Sequence, residues 1–170
     1  MVQEKIMNYI SSEKYSHKKW LKYTPEEKKK LLSELADYVS KQLGIKTPEI
    51  VYEDKAINDF SEGHFYGKTI TLYNSFLFPD TTNYVIKVLI HELRHAYQDA
   101  AMNNPNLYVV SDETRNEWKS NYTINNYING GSEGYREQAL EWDAVNFANQ
   151  SDKINSTNRE LLTYEGSWTK

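Results

Sequence analysis

Two histidines four residues apart enclose a glutamate in the run His91-Glu92-Leu93-Arg94-His95. On an α-helix, residues at i and i+4 lie one turn apart on the same face, so both imidazoles can reach a single metal ion. Glu92 then sits beside that ion, where a carboxylate can take a proton from a water bound to it. The chain has four histidines, and two of them fall in this one motif.

Two histidines do not complete a catalytic zinc site, which needs three protein ligands and one open position. The third ligand has to come from another segment. The stretch 132–148 reads as a later helix, with Gly130 and Gly131 as a break before it and Ser132 as its cap. Leu140, Ala144, Phe147 and Ala148 give it an apolar stripe. Glu141 lies one turn before Ala144, close to that stripe, where a carboxylate is costly unless a partner such as a metal meets it. Glu141 is the expected third ligand. Glu137, one turn earlier on the same face, is the alternative. Asp143 leans toward the interior between Leu140 and Phe147, and two roles stay open for it. It can accept the second N–H of a metal-bound histidine, or it can cap or pair with an arginine such as Arg94 or Arg136.

The elements that must hold these residues are legible around them. The run 84–101 lacks Gly and Pro, and Ile86, Leu89, Ile90, Leu93, Ala96, Tyr97 and Ala100 recur at helical spacing. His91, His95 and Gln98 fall on an adjacent face, and Pro79, Asp80, Thr81 and Thr82 supply N-cap candidates. Upstream, Pro25 followed by Glu26 and Glu27 suits a helix start, and Gly44 suits its end. Between them Leu31, Leu32, Leu35, Ala36, Val39 and Leu43 keep the helical period. Residues 48–53 read as a strand. After a loop over 54–63, the run 65–73 reads as a second, half-buried strand in which Ile70 and Leu72 alternate with Thr69, Thr71 and Tyr73. Residues 1–24 read as an N-terminal extension or a short helix against a domain core spanning about 25–150. The irregular stretch 102–131 is long enough to fold over a cleft or to include a short helix around 112–120.

Composition bounds the rest. A chain of 170 residues suits a single domain with its own core. A net charge of −4 favours neither nucleic acid nor an anionic membrane surface. No apolar run reaches the length of a bilayer span, and residues 1–7 lack a secretory apolar stretch. The absence of cysteine excludes disulfides and thiolate zinc sites. A cytoplasmic protein is the expectation, and a toxin domain within a longer exported chain is compatible with it.

Together, His91-Glu92-Leu93-Arg94-His95 and the later Gln138-Ala139-Leu140-Glu141-Trp142-Asp143-Ala144 resemble the gluzincin-type zinc metallopeptidases. The second segment is similar to the E-x-D-A or E-x-E-A signatures of compact bacterial zincins, including ImmA/IrrE-type and SprT-like proteins and toxin zincins. The likeness covers about 48–150. It implies an α+β, zincin-like fold, with a small mixed or antiparallel sheet packed on the active-site helix and a following Glu-bearing helix. It implies one Zn2+ per chain held by His91, His95 and Glu141, with Glu92 as general base. A thermolysin-like Asp four residues after the ligand Glu is replaced here by Asp143, two residues after. The strand Thr69–Tyr73, preceding the motif helix, would then edge the cleft and hold an extended peptide by main-chain bonds. Tyr122, Tyr127 and Tyr135 are candidate donors to a developing oxyanion, and His64 is a candidate substrate or transition-state contact. Expected partners are a protein or peptide substrate, with no nucleic acid and no membrane. Two rival readings keep the fold: a non-catalytic zincin-like binding module, and a regulatory or toxin protein with a single cognate protein partner.

Overall fold

A computed structural model describes residues 2–54, 63–74, 82–121 and 138–149. They hold α1 (Val2–Ile10), a 3-10 turn (Glu13–Tyr15), α2 (His17–Trp20), α3 (Pro25–Leu43), β1 (Glu49–Glu53), β2 (Gly63–Tyr66), β3 (Thr69–Tyr73), α4 (Thr82–Asn103), α5 (Asp112–Asn121) and α6 (Ala139–Asn149). The fold is α+β, with a three-stranded mixed sheet in the order β1-β3-β2. No helix among the described residues is long and apolar enough to cross a membrane.

The start of α3 follows from its residues. The Thr24 hydroxyl accepts from the Glu27 backbone N–H, and the Glu27 carboxylate accepts from the Thr24 N–H, a reciprocal cap that satisfies two otherwise orphaned donors. At the other end Gly44 adopts a left-handed conformation with φ 70° and closes the last turn.

The strand expectation needs correction. The run 65–73 is not one strand: it reverses at Gly67 (φ 63°), making β2 and β3 an antiparallel hairpin. β3 also pairs in parallel with β1, so it is the central strand of the described sheet, and β1 and β2 are the outer ones. Ile70, Thr71, Leu72 and Tyr73 are all buried, where alternation predicted half of them exposed.

Ile70 and Leu72 join Val85, Val88, Leu89, Ile90 and Leu93 of α4 in the main core. Gly63 permits the close approach of β2 to α4, since a Cβ there would lie 3.0 Å from Val88 Cγ1 and 3.0 Å from the Thr71 carbonyl oxygen. α4 is thus gripped by the sheet, α3 and α6, which is why buried residues occur around most of its circumference.

Of the two readings of residues 1–24, the helix packed against the domain is the one present. Ile6, Met7, Tyr15 and Trp20 are buried in the same cluster as Leu32, Leu35 and Val39 of α3, so the core begins at α1 rather than near residue 25. The scattered aromatics of this polar segment all pack inward: Tyr9 stacks on Tyr38 with ring centroids 3.9 Å apart.

The helix expected around 112–120 is α5, and Trp118 anchors it in a second cluster with Ala101, Met102 and Leu140. Buried Arg115 ties the α4–α5 connection together by donating to the carbonyls of Ala101, Pro105, Tyr108 and Val110. These include a carbonyl in the last turn of α4 that has no intrahelical partner.

Candidate metal centre

α4 and α6 bring three ligand-type side chains together. His91 Nε2 and His95 Nε2 are 2.9 Å apart, His91 Nε2 lies 3.3 Å from Glu141 Oε2, and His95 Nε2 lies 3.2 Å from Glu141 Oε1. Tetrahedral zinc with bonds of about 2.0–2.1 Å separates its ligand atoms by about 3.3 Å, so the spacing already approximates one face of such a site. Glu141 is 1% exposed, and two imidazoles with one carboxylate match the donor preference of zinc.

Charge explains how the carboxylate tolerates burial. Burial alone would raise the Glu141 pKa, but hydrogen bonds and charge from His91 and His95 hold it well below the usual carboxylate range. Burial alone would lower the His95 pKa, but Glu141, with Glu92 and Gln98 adding to it, pushes it up to about 9. Glu141 and Glu92 favour positive charge at His95, which a proton or a metal ion can supply.

Behind His95 lies a group the motif does not announce. Gln98 Nε2 donates to the Leu140 carbonyl at 2.8 Å and to Asp143 Oδ2 at 2.7 Å. Both partners can only accept, so the orientation of the amide is fixed and Gln98 Oε1 faces His95 Nδ1 at 2.8 Å. His95 Nδ1 must therefore carry the hydrogen, which leaves the Nε2 lone pair for an ion. Asp143 in turn takes two bonds from Arg94, at 2.8 Å from Nε and 3.0 Å from Nη2. Of the two roles left open for Asp143, the arginine pair is present. Its link to His95 runs through Gln98 rather than directly. The Arg94 guanidinium also lies over the rings of Tyr97 and Phe147.

Glu92 is 6% exposed and makes no hydrogen bond or ion pair with another described residue. His64 is not brought to the three ligands. Pairing with Thr71 places it on the sheet face opposite Gly63, Phe65, Ile70 and Leu72, the face that packs on α4. Its Nδ1 is 3.3 Å from the Tyr73 hydroxyl. Glu137, Tyr135, Tyr122, Tyr127, Arg136 and the Ser132 cap lie outside the described residues.

Arg94 and Asp143 also line a cleft of about 790 Å³, together with Tyr97, Tyr108, Trp142 and Phe147 among others. His91, His95 and Glu141 do not line it. The helical spacing put Gln98 on the face of His91 and His95 but gave it no role, because that role depends on α6 lying across it. Its signal in the sequence was a polar residue at i+3 from His95 on the same face as the two histidines.

No family model, curated protein or solved structure matches this chain.

Proposed function

We propose that the protein is a zincin-like, zinc-dependent metallopeptidase of the gluzincin type, with His91, His95 and Glu141 as ligands to one Zn2+. The observation that carries this reading is the convergence of Glu141 on the two motif histidines from a separate helix. An ordinary surface helix gives no reason for a buried glutamate to meet two imidazoles there.

Zinc in such a site lowers the pKa of a coordinated water toward neutrality and polarises a substrate carbonyl. The chain's own groups do the rest. His91 and His95 present neutral imidazole nitrogens, and Glu141 supplies the anionic ligand. Glu92, with carboxylate oxygens uncommitted to other described residues, accepts the proton that water gives up as it attacks the peptide carbonyl. It then passes that proton to the leaving amine. β2, an outer strand of the described sheet, offers main-chain groups that would hold an extended peptide.

The test is incubation of the zinc-loaded protein with a proteome-derived peptide mixture, followed by a search for new N-termini, with Glu92→Gln in parallel. The expected result is a set of cleavages made by the wild type alone. Zinc binding without any cleavage would favour the binding-module reading instead.

A further inference from the structure

We infer that Gln98 is a positioning residue for the candidate metal centre, fixing both the proton on His95 and the register of the two ligand-bearing helices. The inference rests on the metal-site reading above and goes beyond the ligand set. It names a residue outside the HExxH motif and outside the Glu-bearing segment.

Three bonds carry it. The Gln98 side chain is completely buried, both acceptors of its Nε2 have a fixed role, and its Oε1 lies 2.8 Å from His95 Nδ1. Its oxygen accepts from His95 Nδ1. Its two hydrogens go to Leu140, the residue before Glu141, and to Asp143, two residues after it. One amide from α4 therefore brackets the third ligand on α6 while setting the tautomer of the second ligand. Arg94, one residue before His95, holds Asp143 in place by two further bonds. Rotating the amide would set Gln98 Oε1 against the Leu140 carbonyl and the Asp143 carboxylate, a contact between acceptors with no hydrogen between them. The flipped state is excluded by charge, and His95 is held with Nε2 toward the site. A leucine or methionine of similar size would fill the space and do none of this.

The first experiment is 15N-histidine NMR of the zinc-loaded wild-type protein. The structure predicts that His95 carries its hydrogen on Nδ1, slow to exchange and coupled across a hydrogen bond, with Nε2 taken by the metal. A zinc-loaded His95 bearing its hydrogen on Nε2 overturns the inference without any variant having to fold. The second is zinc affinity by chelator competition for Gln98→Leu and Gln98→Met, with the visible spectrum of the Co2+-substituted proteins. About a 10–100-fold loss of affinity is expected, with an altered Co2+ spectrum at saturating metal. Wild-type affinity and an unchanged spectrum in both variants would contradict the inference while leaving the metal site standing. A wild-type protein that takes up neither zinc nor cobalt removes the metal-site reading, and the inference with it.

Discussion

His95 Nε2 lies 3.2 Å from Glu141 Oε1, across the contact between α4 and α6. Everything distinctive about the centre follows from that approach. It holds the Glu141 carboxylate ionised although buried, and it raises the affinity of His95 for a cation.

Proton and zinc should compete for His95, whose pKa is pushed up to about 9 from an ordinary 6.5. The folded state binds this proton more tightly than the unfolded chain does. Its stabilisation of the metal-free protein is therefore full below about 6.5 and is lost as pH rises through about 9. Glu141 works in the opposite sense. Its contribution is present above its ordinary value of 4.5 and is lost as pH falls through its depressed folded value. Thermal unfolding of metal-free protein should thus show greatest stability between these limits. Zinc affinity should climb by up to ~tenfold per pH unit from neutrality toward about 9. A pH-independent affinity across that window would contradict the coupling.

Glu92→Gln should keep zinc at wild-type stoichiometry and lower turnover by at least about 10²–10⁴-fold, the usual share of a general base. Elemental analysis and a peptide cleavage assay on the same preparation decide it. Cleavage at the wild-type rate would remove Glu92 from the mechanism.

Asp143→Ala leaves Arg94 without its two charge-assisted bonds and one Gln98 hydrogen without an acceptor. Partly buried bonds to charged groups contribute about 1.5–3 kcal/mol each when a partner is lost. A drop in denaturation midpoint is expected in metal-free protein, together with weaker zinc binding. A variant as stable as wild type and equally tight for zinc would show that the Arg94–Asp143 pair does not support the site.

Trp20→Ala tests whether residues 1–24 belong to the domain. Trp20 is fully buried in the main core, and removing such a side chain costs about 3–5 kcal/mol. Urea unfolding should register that loss. A change within about 0.5 kcal/mol, as at a surface position, would restore the view of this segment as an extension.

The parts of the molecule governed by local pattern were legible in the sequence. α3 carries its own start and stop in Pro25 and Gly44, and α4 carries an uninterrupted helical period. Leu140, Ala144, Phe147 and Ala148 marked the inward stripe of α6, and with it Glu141. What escaped depends on which element lies beside which. Thr69–Tyr73 alternates like an edge or half-exposed strand, and only its pairing to β1 makes it central. Ile6 and Trp20 sit in a polar segment with little periodicity, and their burial is a matter of how α1 docks on α3 and α2 on α4. Gln98 gains its role from two groups on α6 that lie more than forty positions along the chain.

The most direct test of the central claim is the zinc content of purified, reconstituted protein, measured beside Glu141→Ala. The account predicts about one zinc per chain in the wild type and sharply weakened retention in the variant. Absence of zinc from the reconstituted wild type, or full retention without Glu141, would contradict it.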